Sequence, residues 1–222
     1  MDFKTSDKQL TIGTFDIRLT VIENIDELYD ALIQKGEDHE DVQDERIPYW
    51  ADLWASALAM SRYLVDNQLI TSETTVLEIG CGLGLPSIVA GLMGAKQVTM
   101  SDYLDDAMTF AEQNWQQNVS DKKVIFKKMD WRTPDPSVSA DLLLASDVAY
   151  EQRAFEPLLK AFKTLLKPNG TILITEPNRP ISKDFFLSLN TEGYVVKHQQ
   201  VGIKHRGHYF TINLYELKEG LA

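Results

Sequence analysis

Two carboxylates and three glycines stand where strands give way to helices. In Val76-Leu77-Glu78-Ile79-Gly80-Cys81-Gly82-Leu83-Gly84-Leu85-Pro86, an apolar strand carries one acid and runs straight into alternating glycines. Further on, Val98-Thr99-Met100-Ser101-Asp102 is a second strand ending in a carboxylate. Such a pair at the C-terminal edge of a parallel sheet describes a pocket for a nucleoside-containing cofactor. Glycines let the chain turn tightly and bring its amides against a ligand. A dinucleotide fingerprint would need its third glycine at position 85, where Leu85 stands, so the register is G-x-G-x-G instead. The glycines alone are equally those of a structural turn. Glu78 weighs against that reading, because a carboxylate in a strand suited to burial is costly without a partner. The ligand that suits it is cationic, with an amino group and a sulfonium centre, and Asp102 is then placed to accept from both ribose hydroxyls.

Regular alternation of strands and helices must position these residues. Strands are expected at Thr75–Ile79, Gln97–Ser101, Val124–Lys128, Asp141–Ala145 and Thr171–Thr175. Helices are expected from about Pro86 to Met93, from Asp105 to about Asn118, and along the stripe Phe155, Leu158, Leu159, Phe162, Leu165 and Leu166. The run Leu142-Leu143-Leu144-Ala145 suits a strand covered on both faces. This order implies a parallel sheet with right-handed crossovers. The tail differs, because Tyr194–Val201 and Tyr209–Leu217 are joined by a short basic turn and must pair antiparallel. Upstream, residues 10–22 alternate as a strand or hairpin, and Ile25, Leu28, Tyr29 and Leu32 recur at helical spacing. Gly36 to Asp44 is charged and patternless, which predicts a flexible linker or lid. Trp50, Trp54, Ala57, Leu58, Ser61, Leu64 and Val65 fall on one stripe of a single helix. The expected organisation is an N-terminal extension over residues 1–45 with an acidic linker, then one α/β domain over residues 46–222.

Bulk properties narrow the partners. With 222 residues, 44% hydrophobic and 25% charged, the chain has the composition of a globular domain with a sizeable core. No apolar run approaches a membrane span and no signal peptide is visible at the start, so a cytoplasmic protein without a membrane partner is expected. The single cysteine, Cys81, rules out an internal disulfide and fits the glycine turn as a small side chain. A net charge of −11 argues against a nucleic-acid partner, which would meet a basic face. The lysines at 122, 123, 127 and 128 read as a solvated strand edge. Glu23 to Glu45 holds ten carboxylates against one lysine. That segment reads either as a solvated helix and linker or as a lure for a basic protein substrate. His205-x-x-His208 sits on a turn with Arg206 between its histidines and is not read as a metal site.

Glu78 through Gly84 with Asp102 resembles the first motif, and the acid that follows it, of class I seven-strand S-adenosylmethionine (SAM) methyltransferases. Pro48-Tyr49-Trp50-Ala51-Asp52-Leu53-Trp54 before it, Asp130-Trp131 after the third strand and Ser146-Asp147-Val148-Ala149-Tyr150 after the fourth narrow the resemblance. The set is similar to the family-16 protein methyltransferases, which modify lysine and share an Asp-x-x-Tyr element; bacterial members are often labelled nicotinamide N-methyltransferase-like. The resemblance covers roughly residues 46 to 217. It implies a Rossmann-like sheet of seven strands, mostly parallel, with helices on both faces and an antiparallel C-terminal hairpin. It also implies SAM as cofactor and S-adenosylhomocysteine (SAH) as product. The cofactor site is then expected to comprise Trp54, Glu78, Gly80, Gly82, Gly84, Asp102, Tyr103, Asp130, Trp131 and Ser146. Asp130 and Trp131 would face the adenine.

Asp147 and Tyr150 are the expected catalytic pair, Asp147 orienting an acceptor amine and Tyr150 supplying an aromatic wall or hydroxyl. In a purely structural reading Asp147 caps a helix starting near Glu151. The loop Glu176-Pro177-Asn178-Arg179-Pro180 either borders a substrate channel or is simply fixed by its prolines. The Asn/Asp-Pro-Pro-aromatic motif of enzymes acting on nucleic-acid bases is absent, Ser146–Tyr150 standing in its place. The resulting expectation is methylation of a lysine on a protein, with no metal. A small-molecule N-methyltransferase and a non-catalytic SAM- or SAH-binding module are the alternatives.

Overall fold

A computed structural model describes residues 2–44, 46–120 and 123–220. Lys122 and Glu45, each part of a charged cluster noted above, lie outside the described residues. The sheet runs β5-β4-β3-β6-β7-β9-β8. Its members are β3 (Thr75–Ile79), β4 (Gln97–Asp102), β5 (Val124–Lys128), β6 (Ala140–Ser146), β7 (Leu166–Glu176), β8 (Tyr194–His205) and β9 (His208–Glu219). β3 to β7 are mutually parallel, and β9 pairs antiparallel with both β7 and β8. The expected seven-strand sheet with its C-terminal hairpin is therefore present.

Chain order reverses between β3 and β6: the path steps outward through β4 to β5, then returns to the other side of β3. Ligands bind beyond the strand ends at such a point. Side chains alternate across the sheet and feed two apolar layers. Val76, Leu142, Leu144 and Leu173 face α3 (Ala55–Asp66), α4 (Leu85–Leu92) and α5 (Asp105–Asn118). Leu77, Ile79, Leu143, Ile172 and Ile174 face α6 (Phe155–Leu165) and α7 (Lys183–Ser188). α6 buries Leu158, Ala161, Phe162 and Leu165 on one face, as its periodicity predicts.

The structure departs from the sequence-based elements in three places. The stripe from Trp50 to Val65 is not one helix. Pro48–Ala51 forms a 3-10 turn, the chain extends at Asp52 and Trp54, and α3 begins at Ala55. Asp52 causes the break, since its carboxylate accepts from the Leu53 amide at 2.7 Å and pairs with Arg206. The segment from Gly36 to Asp44 is not patternless, because α2 (Glu40–Gln43) forms there with the His39 ring accepting from the Asp41 amide. Lys35 and Arg46 both pair with Asp41 and hold the turn. Finally β7 starts at Leu166 and not at Thr171. Pro168-Asn169-Gly170 is a bulge between two paired stretches, with Ala140 opposite Leu166 and Leu142 opposite Thr171.

Residues 10–22 do form a hairpin, but one that begins earlier, as β1 (Thr5–Ile12) and β2 (Phe15–Ile22) in a separate two-stranded sheet. α1 (Ile25–Gln34) follows it. Ile12, Ile17, Leu19 and Val21 join the same apolar layer as α3, α4 and α5. A buried asparagine fixes the docking. Asn114 of α5 accepts from the Thr20 amide at 2.8 Å and donates to the Thr20 and Leu83 carbonyls at 3.2 and 3.1 Å. It thereby ties the hairpin to the glycine turn. Asn114→Ala is expected to lower unfolding free energy by about 2–4 kcal/mol, since buried backbone groups lose their partners; urea denaturation measures it.

Candidate active site

The glycine turn is built by close contact. Gly80 adopts φ +62°, and a Cβ there would lie 2.8 Å from the Trp131 ring. At Gly84, φ is +81° and a Cβ would meet Met100 at 2.2 Å, so α4 could not lie so near β4. The turn starts α4 beside the end of β3, where the Ser87 amide and hydroxyl donate to Glu78 Oε2 at 3.0 and 2.5 Å. Asp102 ends β4 and accepts from the Gly82 amide at 3.1 Å and the Leu104 amide at 3.2 Å. Glu78 is 1% and Asp102 5% exposed. Among the described residues neither has a cationic partner within ion-pair distance. Burial pushes Glu78 up to about 8 and also raises Asp102, whose charge adds to the shift at Glu78.

One cavity gathers this turn and the rim of the neighbouring strands. Trp54, Glu78, Gly80, Gly82, Gly84 and Asp102 line it, as do Tyr103, Trp131, Ser146, Asp147 and Tyr150. Asp130 does not. Its oxygens accept from the Arg132 amide at 2.8 Å and Nε at 2.7 Å, so Arg132 claims the carboxylate. Arg132 also reaches Asp44 at 2.5 and 3.2 Å, so the segment carrying α2 is strapped to the loop after β5. The strap leads directly into Ile47 and Tyr49, which line the cavity.

Asp147 follows β6 with φ +55°, a left-handed conformation that aspartate tolerates, and its amide donates to the Thr175 carbonyl at 2.8 Å. Its carboxylate does not cap a helix. It meets Arg179, at 3.1 Å from Nε to Oδ1 and 3.2 Å from a terminal nitrogen to Oδ2, and Ser56 Oγ at 3.4 Å. Burial raises the Asp147 pKa, and the Arg179 guanidinium works against that rise. An aromatic wall stands beside it. Tyr49 packs edge-on to Tyr150 at 5.3 Å and to Trp54 at 6.0 Å, and the Trp54 indole donates to the Tyr49 carbonyl at 2.7 Å. Burial pushes the Tyr150 phenol well above its ordinary value.

Among the cavity-lining residues outside the expected site set, Tyr49 and Arg179 make the most direct contacts with Tyr150 and Asp147. Tyr49 lies inside the quoted Pro48–Trp54 motif, so a signal existed. Arg179 sits in the loop after β7 that allowed two readings; it lines the cavity and pairs with Asp147.

Solved structures share the architecture at low identity. The magnesium protoporphyrin IX methyltransferase of Synechocystis with bound SAM superimposes with a TM-score of 0.60 at 18% identity, over 89% of this chain and 92% of that one. The ribosomal protein L11 methylase of Lactobacillus delbrueckii gives 0.55 at 19%, over 73% and 77%. The chain thus shares the overall fold of these two structures. A family model described as lysine methyltransferase matches residues 39–192, and the chain belongs to that family. The electron transfer flavoprotein beta subunit lysine methyltransferase of Danio rerio is 30% identical over 145 residues, 62% of this chain and 53% of that protein. A protein N-lysine methyltransferase of Xenopus tropicalis is 29% identical over 76% of this chain and 80% of its own length. The chain thus spans about half the length of the first relative and four-fifths of the second.

Two buried carboxylates without a cation fit SAM, which brings an ammonium and a sulfonium to the same cradle. Folded Glu78 keeps its proton to about pH 8, whereas the unfolded group ionises near 4.5. Across that window the folded state binds the proton and the unfolded state does not, so stability falls as pH rises. Glu78→Gln is expected to flatten the melting-temperature decline between about pH 5 and 8, as read by calorimetry.

Proposed function

We propose that the chain is a SAM-dependent N-methyltransferase that methylates a lysine side chain of a protein. The observation that carries this reading is the placement of Asp147, a buried carboxylate at the rim of β6, beside an aromatic wall and in the same cavity as the Glu78–Asp102 cradle. When bound, SAM supplies an electrophilic methyl on sulfur. Glu78 would hold its cationic end and Asp102 its ribose, leaving the acceptor to be oriented and freed of a proton. A lysine has a reference pKa near 10.4, so presenting it neutral at pH 7 costs roughly 4–5 kcal/mol. Tyr49, Trp54 and Tyr150 exclude water from the acceptor's path and lower that cost. Asp147 accepts a hydrogen bond from the amine and aligns its lone pair.

A net charge of −11 supports a protein acceptor, one with basic surroundings, over a nucleic acid. Among the described residues no helix is long and apolar enough to cross a membrane. The lone buried cysteine supports a cytoplasmic setting. The names of the relatives above support a protein substrate over a small molecule.

Calorimetric titration with SAM, SAH and NAD tests the cofactor, and transfer of a radiolabelled methyl group to cell lysate tests the acceptor. Micromolar binding of the two sulfur nucleosides, none of NAD, and label on protein lysine are expected. Label confined to small molecules would replace the protein acceptor with a metabolite. Asp102→Ala is expected to weaken SAM binding roughly 10- to 100-fold, the loss of hydrogen bonds to a charged group. Asp147→Ala should leave that affinity in place and lower turnover about 100-fold. Equal loss of cofactor affinity in both variants would overturn the division of roles.

A further inference from the structure

Arg179 carries a charge of its own into the acceptor's end of the cavity. Its guanidinium spans both Asp147 oxygens, at 3.1 and 3.2 Å, and lies 5.9 Å from the Trp54 ring centre. The Asp147 side chain is 7% and that of Arg179 34% exposed. The arginine is not a free surface arm. Its amide donates to buried Glu176 at 2.7 Å, and the Ser182 hydroxyl donates to the Arg179 carbonyl at 2.9 Å. Backbone on both sides of the side chain is therefore pinned, and the pairing follows from where the loop is held.

A site meant for a lysine amine has a specific difficulty with a bare carboxylate. An unpaired buried carboxylate binds ammonium best, and by doing so keeps the nitrogen lone pair protonated. A carboxylate already paired with a cation has no net charge to attract ammonium, yet it retains acceptor capacity. About four lone-pair sites are available on its two oxygens, and a bidentate arginine takes two. Ser56 Oγ, at 3.4 Å from Oδ2, takes a third, and a neutral amine can still donate to the one left.

We propose that Arg179 is a specificity-determining residue that makes the Asp147 site select the neutral form of the acceptor amine and discriminate against ammonium. This rests on the proposed role of Asp147 as the acceptor-orienting group. Arg179 acts through Asp147 and is a positioning residue, not a catalytic one.

The probe is n-butylammonium chloride, which reproduces the lysine side chain, with 1-butanol as its uncharged counterpart. Both are titrated at neutral pH into the whole protein, with and without SAH, and followed by nuclear magnetic resonance. Arg179→Met and Arg179→Gln are each expected to bind butylammonium about tenfold more tightly than the parent, as removal of a close like charge predicts. Arg179→Lys, which keeps a cation beside Asp147, should stay near the parent value. The gain should vanish when Arg179→Met is combined with Asp147→Asn, and 1-butanol should show none. A merely structural role would loosen binding or leave it unchanged, and could not tighten it for the cation alone. No gain in either uncharged variant, or an equal gain for 1-butanol, would overturn the proposal. Failure of SAH to bind the parent protein would instead count against the proposed function, while the cofactor-free titrations still judge Arg179.

Discussion

Glu78 and Asp102 lie at the ends of adjacent parallel strands, almost wholly withdrawn from water, and burial, with a smaller contribution from Asp102, holds Glu78 protonated up to about pH 8. Holding two such groups together demands donors from somewhere, and much of the local architecture exists to deliver them. The glycine turn aims the Gly82 amide at Asp102, and α4 starts so that Ser87 meets Glu78. Backbone amides and a hydroxyl supply hydrogen bonds but no countercharge. With no countercharge in reach among the described residues, burial raises both carboxyls, and a cation brought into the cradle would favour their ionised forms. The reversal of strand order at β3 then places β6 on the opposite side of the same turn, so Asp147 and the Glu78–Asp102 cradle share one cavity.

Most of this was legible before any coordinates, for reasons that differ by element. Central strands such as β3 and β6 are covered on both faces, so their apolar runs and the helical stripes between them report directly on burial. Twelve site residues were expected at strand ends, in the glycine turn or in the segments flanking them, and eleven of the twelve line the cavity. Asp130 is the exception because a side chain's direction depends on its rival partners. Arg132, only two residues along, claims both of its oxygens. Trp50 misled in a similar way: its spacing to Trp54 is helical, but the Asp52 carboxylate capturing the next amide outweighs that pattern. Arg179 was hidden for a topological reason, since the loops after β6 and β7 meet only because those strands are neighbours.

The strap through Asp44 has the opposite character from the buried cradle. Arg132 and Asp44 are joined by two short contacts near solvent, where salt and side-chain entropy erode the strength of such pairs. The cradle contacts are thus buried, while the Asp44 strap is held by a pair open to solvent.

The N-terminal hairpin introduces a matter of timing. Thr20 finds its partner in Asn114, 94 residues later, and the same asparagine holds the Leu83 carbonyl of the glycine turn. On a ribosome adding 5–20 residues per second, β2 emerges on the order of ten seconds before α5. Through that interval Ile17, Leu19 and Val21 have no layer to join, and the hairpin alone is too small to bury them. The hairpin is therefore among the last elements to settle: Asn114 can reach Leu83, 31 residues before it, well before it closes the 94-residue loop to Thr20.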